Sequence, residues 1–222
     1  MPYPNGMSFI DKLRSGELAD ARTILKADPG LAQFREENGV SAVLIARYLG
    51  HADFAREIAD AHPGIDLWEA AALGDQTRTA ELLDNGLEDV NAVNADGFTP
   101  LGLACYFGHL EEARLLLERG ANPNIISANP MAYLPIHSAL AGGHKEIIAL
   151  LIQKGAEVDE PSGSDWTPLH YVAESGDIET AQLLIKAGAR TGYTRDDGKT
   201  ALEVAEENGF TDLARLLATS AG

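Results

Sequence analysis

Thr167-Pro168-Leu169-His170-Tyr171-Val172-Ala173-Glu174-Ser175-Gly176 is not unique in this chain. Close copies run Thr99-Pro100-Leu101-Gly102-Leu103-Ala104-Cys105-Tyr106-Phe107-Gly108-His109 and Leu134-Pro135-Ile136-His137-Ser138-Ala139-Leu140-Ala141-Gly142-Gly143-His144. A degenerate copy runs from Thr200 to Gly209. The closing glycine recurs at Gly16, Gly50, Gly74, Gly108, Gly143, Gly176 and Gly209, at intervals of 34, 24, 34, 35, 33 and 33 residues. A period of roughly 20–50 residues marks a stacked architecture, in which one unit cannot bury its own apolar face and neighbours must cover it.

Each glycine is followed by a second amphipathic stretch, such as Leu110–Leu117, Ile147–Ile152 or Ala181–Ile185, with apolar residues at three- and four-residue steps. These stretches end at Gly86, Gly120, Gly155 and Gly188, where a left-handed C-cap belongs. Proline just inside the first stretch suits a first helical turn, with the preceding threonine as N-cap. The unit is helix, glycine turn, helix and loop.

These residues resemble the ankyrin repeat, with its T-P-L-H-x-A signature and period of about 33 residues. Thr167-Pro168-Leu169-His170 carries the first four letters, and Ala173 stands one place late. Asp89-Val90-Asn91-Ala92, Ala121-Asn122-Pro123-Asn124 and Ala156-Glu157-Val158-Asp159 match the family's linker. The likeness is clearest over residues 66–218, weaker over 39–62 and weakest over 8–30. It implies an all-α solenoid of about seven stacked helix pairs, with projecting hairpin loops and a concave binding face. Residues 1–62 are expected to form a diverged N-terminal cap of two helix pairs. Residues 63–222 are expected to hold about five ankyrin repeats, the last a polar C-terminal cap, in one continuous solenoid. Only Pro63-Gly64-Ile65 connects the second pair to the third, which leaves no room for a hairpin there. The resemblance also implies that His137 and His170 bond backbone in the adjoining loop.

Side chains on the concave face do little for folding, so their identities carry the function. The residue before each threonine-equivalent is Phe98, Tyr133, Trp166 or Lys199. The three aromatics predict a ladder spaced by about 10 Å per stacked pair. Tyr106 and Phe107, on the exposed side of the first helix, extend it beside Phe98. Glu174, Asp196, Asp197 and Glu207 predict an acidic end that steers a basic partner inward. Aromatics in a rimmed patch are favoured anchors for a protein partner.

The chain of 222 residues carries 17 Lys+Arg against 34 Asp+Glu, a net charge of −17. The excess is uniform: residues 1–95 hold 8 basic and 16 acidic side chains, and residues 96–222 hold 9 and 18. Such a field disfavours nucleic acid and anionic membrane. No apolar run approaches the ~20 residues of a membrane-spanning helix. The Met1–Gly6 start lacks the pattern of a secretory signal. Cys105, the single cysteine, fits a small buried position. No metal, cofactor or catalytic set is legible in the histidines or carboxylates. The expectation is a cytoplasmic, monomeric, non-catalytic module that binds an unknown protein. An immunity or antitoxin-like inhibitor of a basic enzyme, or a regulatory subunit of an enzyme, is the alternative.

Overall fold

In the computed structural model, residues 5–86 and 88–220 are described; Met1–Pro4, part of the start on which the absence of a leader was read, lie outside them. The chain forms helix pairs α1 (Gly6–Arg14) with α2 (Leu18–Ala27), α3 (Ala42–Tyr48) with α4 (Ala52–Ala61), and α5 (Leu67–Leu73) with α6 (Gln76–Asp84). Then come α7 (Pro100–Tyr106) with α8 (Leu110–Glu118), α9 (Pro135–Gly142) with α10 (Lys145–Gln153), α11 (Pro168–Ser175) with α12 (Ile178–Lys186), and α13 (Ala201–Glu207) with α14 (Thr211–Thr219). A 3-10 turn at Pro29–Gln33 joins the first two pairs. Successive first helices pack against one another, as do successive second helices from α6 onward. One apolar core runs from Phe9 to Leu217.

Local chemistry sets the helix limits. Thr99 Oγ1 accepts from Gly102 N at 3.0 Å and caps α7. Asp66 and Glu69 exchange capping bonds of 2.9 Å at α5, a reciprocal arrangement that satisfies two otherwise orphaned donors. In α11 the same place is taken by His170, whose Nδ1 accepts from Thr167 N at 3.2 Å while its Nε2 donates to Lys199 O at 3.1 Å. In α13, Glu203 replaces the histidine and accepts from Thr200 N at 2.8 Å. The substitution therefore retains the cap and gives up the bond to the next loop.

Between the helices of a pair the chain turns through a left-handed glycine. At Gly108 (φ +80°) the next residue's N–H reaches back, His109 N to Ala104 O at 2.9 Å. A Cβ on Gly108 would lie 2.4 Å from the His144 ring. The missing side chain is thus the seat for the neighbour's imidazole, whose Nε2 lies 3.1 Å from Tyr106 O. His109 stands likewise 3.0 Å from Ala72 O. At the opposite end, asparagines bind neighbouring loops. Asn91 Nδ2 donates to Gly120 O at 3.2 Å and Asn91 Oδ1 accepts from Asn122 N at 2.8 Å; Asn124 repeats this toward Gly155 O and Glu157 N.

Hairpin fingers precede α7, α9, α11 and α13, closed by bonds such as Asn94 N to Phe98 O (3.0 Å) and Ser162 N to Trp166 O (2.9 Å). A further finger precedes α3, closed by Glu36 N to Val40 O at 3.0 Å. No finger fits between α4 and α5. There the flanking parts meet across the gap: the Tyr48 hydroxyl donates to Asp96 Oδ2, and the Tyr48 and Phe107 rings stand 5.7 Å apart. A Cβ on Gly39 would come within 2.7 Å of Ala95 Cβ.

Candidate partner-binding face

The fingers and first helices build a pocket of about 190 Å³, lined by Tyr48, Phe98, Leu103, Tyr106, Met131, Tyr133 and Ala141. Tyr48 ends α3 and Tyr106 ends α7, each two residues before its turn glycine. Met131 is carried by the finger before α9. Tyr48, Tyr106 and Met131 are 40%, 39% and 44% exposed. These apolar groups stand open without a covering element among the described residues.

The expected ladder of three projecting rings needs correction at its first rung. Phe98 is 8% exposed and belongs to the core, so it forms a wall of the pocket. Tyr133 and Trp166 are half-buried and are joined through Tyr171, whose ring centroid lies 6.0 Å from Tyr133 and 5.4 Å from Trp166, both edge-on. Such offset geometry suits the ring quadrupoles. Arg195 lies 4.7 Å over the Trp166 ring, which gives that indole an internal partner. Phe107 is half-buried, 5.1 Å from Tyr106 and 4.2 Å below the Arg47 guanidinium. Burial and the Asp96 carboxylate push the Tyr48 phenol well above its ordinary pKa; burial does the same to Tyr171. Both are neutral hydroxyls at physiological pH.

The acidic end is less free than its composition suggests. Arg195 grips Asp197 through two bonds of 2.8 and 2.7 Å and brings its pKa down to about 2. Lys199 Nζ pairs with Glu207 at 2.7 Å. Glu174 accepts from Asn208 Nδ2 at 3.3 Å, and Asp196 accepts from Asp197 N at 2.9 Å. All four acids are exposed, but two have their charge met within the chain.

Tyr48, Tyr171 and Arg195 escaped the sequence reading of the face. Tyr48-Leu49-Gly50 repeats the register of Tyr106-Phe107-Gly108, so comparison of the turn glycines in the first pairs would have found Tyr48. Nothing in the spacing signals Arg195. Cys105 is fully buried, and burial raises its thiol pKa far above the ordinary range. Among the described residues no group of three or more His, Cys, Asp and Glu is placed to hold a metal ion. No helix among them is long and apolar enough to cross a membrane.

Stacked helix pairs, glycine turns and fingers ending in exposed side chains define a repeat scaffold. Residues 67–162 and 160–222 match the family described as ankyrin repeats (3 copies), and the chain belongs to that family. Ankyrin repeats are protein–protein interaction modules, and the family is in general a non-catalytic scaffold. The chain is 36% identical over 74 residues to the human DNA-binding protein RFXANK, a match covering 33% of this chain and 28% of that protein. It is 39% identical over 49 residues to the serine/threonine-protein kinase TNNI3K of mouse and of rat, 22% of this chain and 6% of theirs. The chain therefore spans well under two thirds of the length of these relatives.

Proposed function

We propose that the chain is a binding module without catalysis, and that its concave face takes a large apolar side chain of a partner protein into the pocket bounded by Tyr48, Tyr106, Met131 and Tyr133. The observation that carries this reading is the pocket itself, whose volume of about 190 Å³ is of the order of one such side chain. Its rings are held by helix ends and finger backbone, so binding loses little ordering entropy. A few buried aromatic contacts typically supply most of the affinity in such interfaces. Phe98 and Phe107 support the lining from behind, and Tyr133 continues it through Tyr171 to Trp166. Asp197 and Glu207 already answer to Arg195 and Lys199, so the apolar pocket carries the reading and charge steering by the acidic end does not.

The test is affinity capture from the source cells with the wild type, Ala141→Arg and Tyr106→Ala. Ala141 is exposed on α9, so a long cationic side chain there obstructs the pocket without entering the core. The same partners should be lost from both variants while helical circular dichroism is retained. Undiminished capture by both would refute the assignment.

A further inference from the structure

Two arginines near the pocket have no carboxylate partner among the described residues. Of the 17 lysines and arginines, those without an ion pair among the described residues are Lys26, Arg47, Arg56, Lys154 and Lys186. The three lysines are exposed, where water solvates an ammonium group. Arg47 is half-buried, and a guanidinium withdrawn from water normally gains a carboxylate in exchange. Here it does not, in a chain with twice as many acids as bases.

The surroundings of Arg47 sharpen this. Its Nε is buried without a hydrogen-bond partner. Its Nη2 stands 3.3 Å from His109 Nε2, yet that same nitrogen lies 3.0 Å from Ala72 O and bonds to it only when it carries a proton. Arg47 then faces a donor. What remains for the guanidinium is the face of Phe107, at 4.2 Å. The exposed Arg56 lies close by and donates to Leu73 O at 2.9 Å. Arg47 and Arg56 thus flank the carbonyl end of α5, which answers only part of their charge. Phe107 in turn touches Tyr48 and Tyr106, two walls of the pocket. The guanidinium is two ring contacts from the apolar opening, a distance that two or three residues of extended chain cover at ~3.3 Å each.

We infer that Arg47, with Arg56 beside it, is a carboxylate subsite adjoining the aromatic pocket, and that the bound partner segment is an extended peptide carrying Asp or Glu two or three residues from its large apolar anchor. This rests on the reading of the pocket given above. It reverses locally what the overall charge suggests: the net field is acidic and Asp96 stands at the Tyr48 hydroxyl, whereas the charged groups behind Phe107 are the two cations. An incoming carboxylate gives Arg47 the charge-assisted bonds it lacks.

Selection of a phage-displayed random dodecapeptide library on the wild-type protein tests this, with Ala141→Arg, Arg47→Gln and Arg56→Gln as counter-targets and circular dichroism on each variant. The expected consensus pairs an acidic residue with an apolar anchor. Arg47→Gln should keep the anchor, lose the acid and bind the selected peptide about ten-fold more weakly or worse. Arg56→Gln, at an exposed position that leaves the core untouched, should weaken it in the same direction. Ala141→Arg should abolish enrichment. An apolar consensus without acid, a basic consensus, or an acidic consensus unmoved in both glutamine variants overturns the subsite while leaving the pocket. No enrichment on the wild type, or an apolar consensus untouched by Ala141→Arg, overturns the pocket and the subsite together.

Discussion

Replacing Glu112 by glutamine should stabilise the protein in a strongly pH-dependent way. Glu112 lies on α8, is 1% exposed, and stands where Ile147 and Thr180 stand in later repeats. One oxygen accepts from Thr79 Oγ1 on α6 at 2.6 Å; the other is buried without a partner. Burial, opposed by the Thr79 bond and reinforced by the negative Asp75, pushes its pKa up to about 7 from 4.5. Below pH 4.5 the carboxyl is neutral in folded and unfolded chains alike. Between pH 4.5 and 7 only the unfolded chain gives up its proton, so stability falls as pH rises, and above 7 the full penalty stands. At ~1.4 kcal/mol per pKa unit the difference reaches about 3 kcal/mol. Urea unfolding of wild type and Glu112→Gln at intervals from pH 4 to 8.5 reads it directly. The glutamine amide keeps the Thr79 bond and leaves its own N–H groups unpaired, a cost that does not vary with pH. The diagnostic is therefore the growth of the stability difference across the range. Parallel curves would show that Glu112 titrates alike in the folded and unfolded chains and would refute the reasoning.

His137 has the opposite sign: fully buried, its imidazole is held down to about 4. Its own contribution to stability should fall by about 3 kcal/mol as pH drops from 6.5 to 4, and a His137 imidazole resonance titrating near 6.5 would contradict this. Ala132 sits at φ +46° in the finger before α9, so Ala132→Gly should raise stability by about 0.5 kcal/mol, the left-handed strain outweighing the added freedom of the unfolded chain; thermal unfolding checks it. Gly108→Ala should cost about 2 kcal/mol or more, because it adds both left-handed strain and a Cβ lying 2.4 Å from the His144 ring. A cost below 1 kcal/mol, measured by urea unfolding, would mean that His144 is free to leave its seat (an ordinary αL penalty alone is ~1 kcal/mol).

The letters around Thr167 and the glycine period made the helix pairs legible, because caps and left-handed turns depend on single residues acting locally. The finger before α3 was less visible, since the T-P-L-H letters are missing there. Its signature survives in Asn38-Gly39-Val40-Ser41, which parallels Asp96-Gly97-Phe98-Thr99 and Asp197-Gly198-Lys199-Thr200. Gly39, Gly97 and Gly198 share φ values of +88°, +84° and +82°. The face was read less well than the fold. Register placed Phe98, Tyr133 and Trp166 at equivalent sites, but exposure depends on which neighbour leans on each ring. Phe98 is drawn into the core and shares the pocket wall with Met131 and Tyr133, whereas Arg195 covers Trp166. The pairing of Asp197 and Glu207 depends on how Arg195 and Lys199 bend within their finger, which no periodicity encodes.

In an ordinary helical solenoid each unit feels only the two beside it, and stability adds along a line like a row of coupled beads. The short connector after α4 breaks that rule. With the finger gone, Tyr48 crosses to Asp96 and Phe107, and Arg47 to the same ring, so the second pair couples to the fourth as well as to the third. A next-nearest-neighbour link of this kind widens the cooperative block at the amino-terminal end. Fraying from that side must break contacts to both of those pairs when the second is released, and the aromatic opening that Tyr48 walls dissolves at that step.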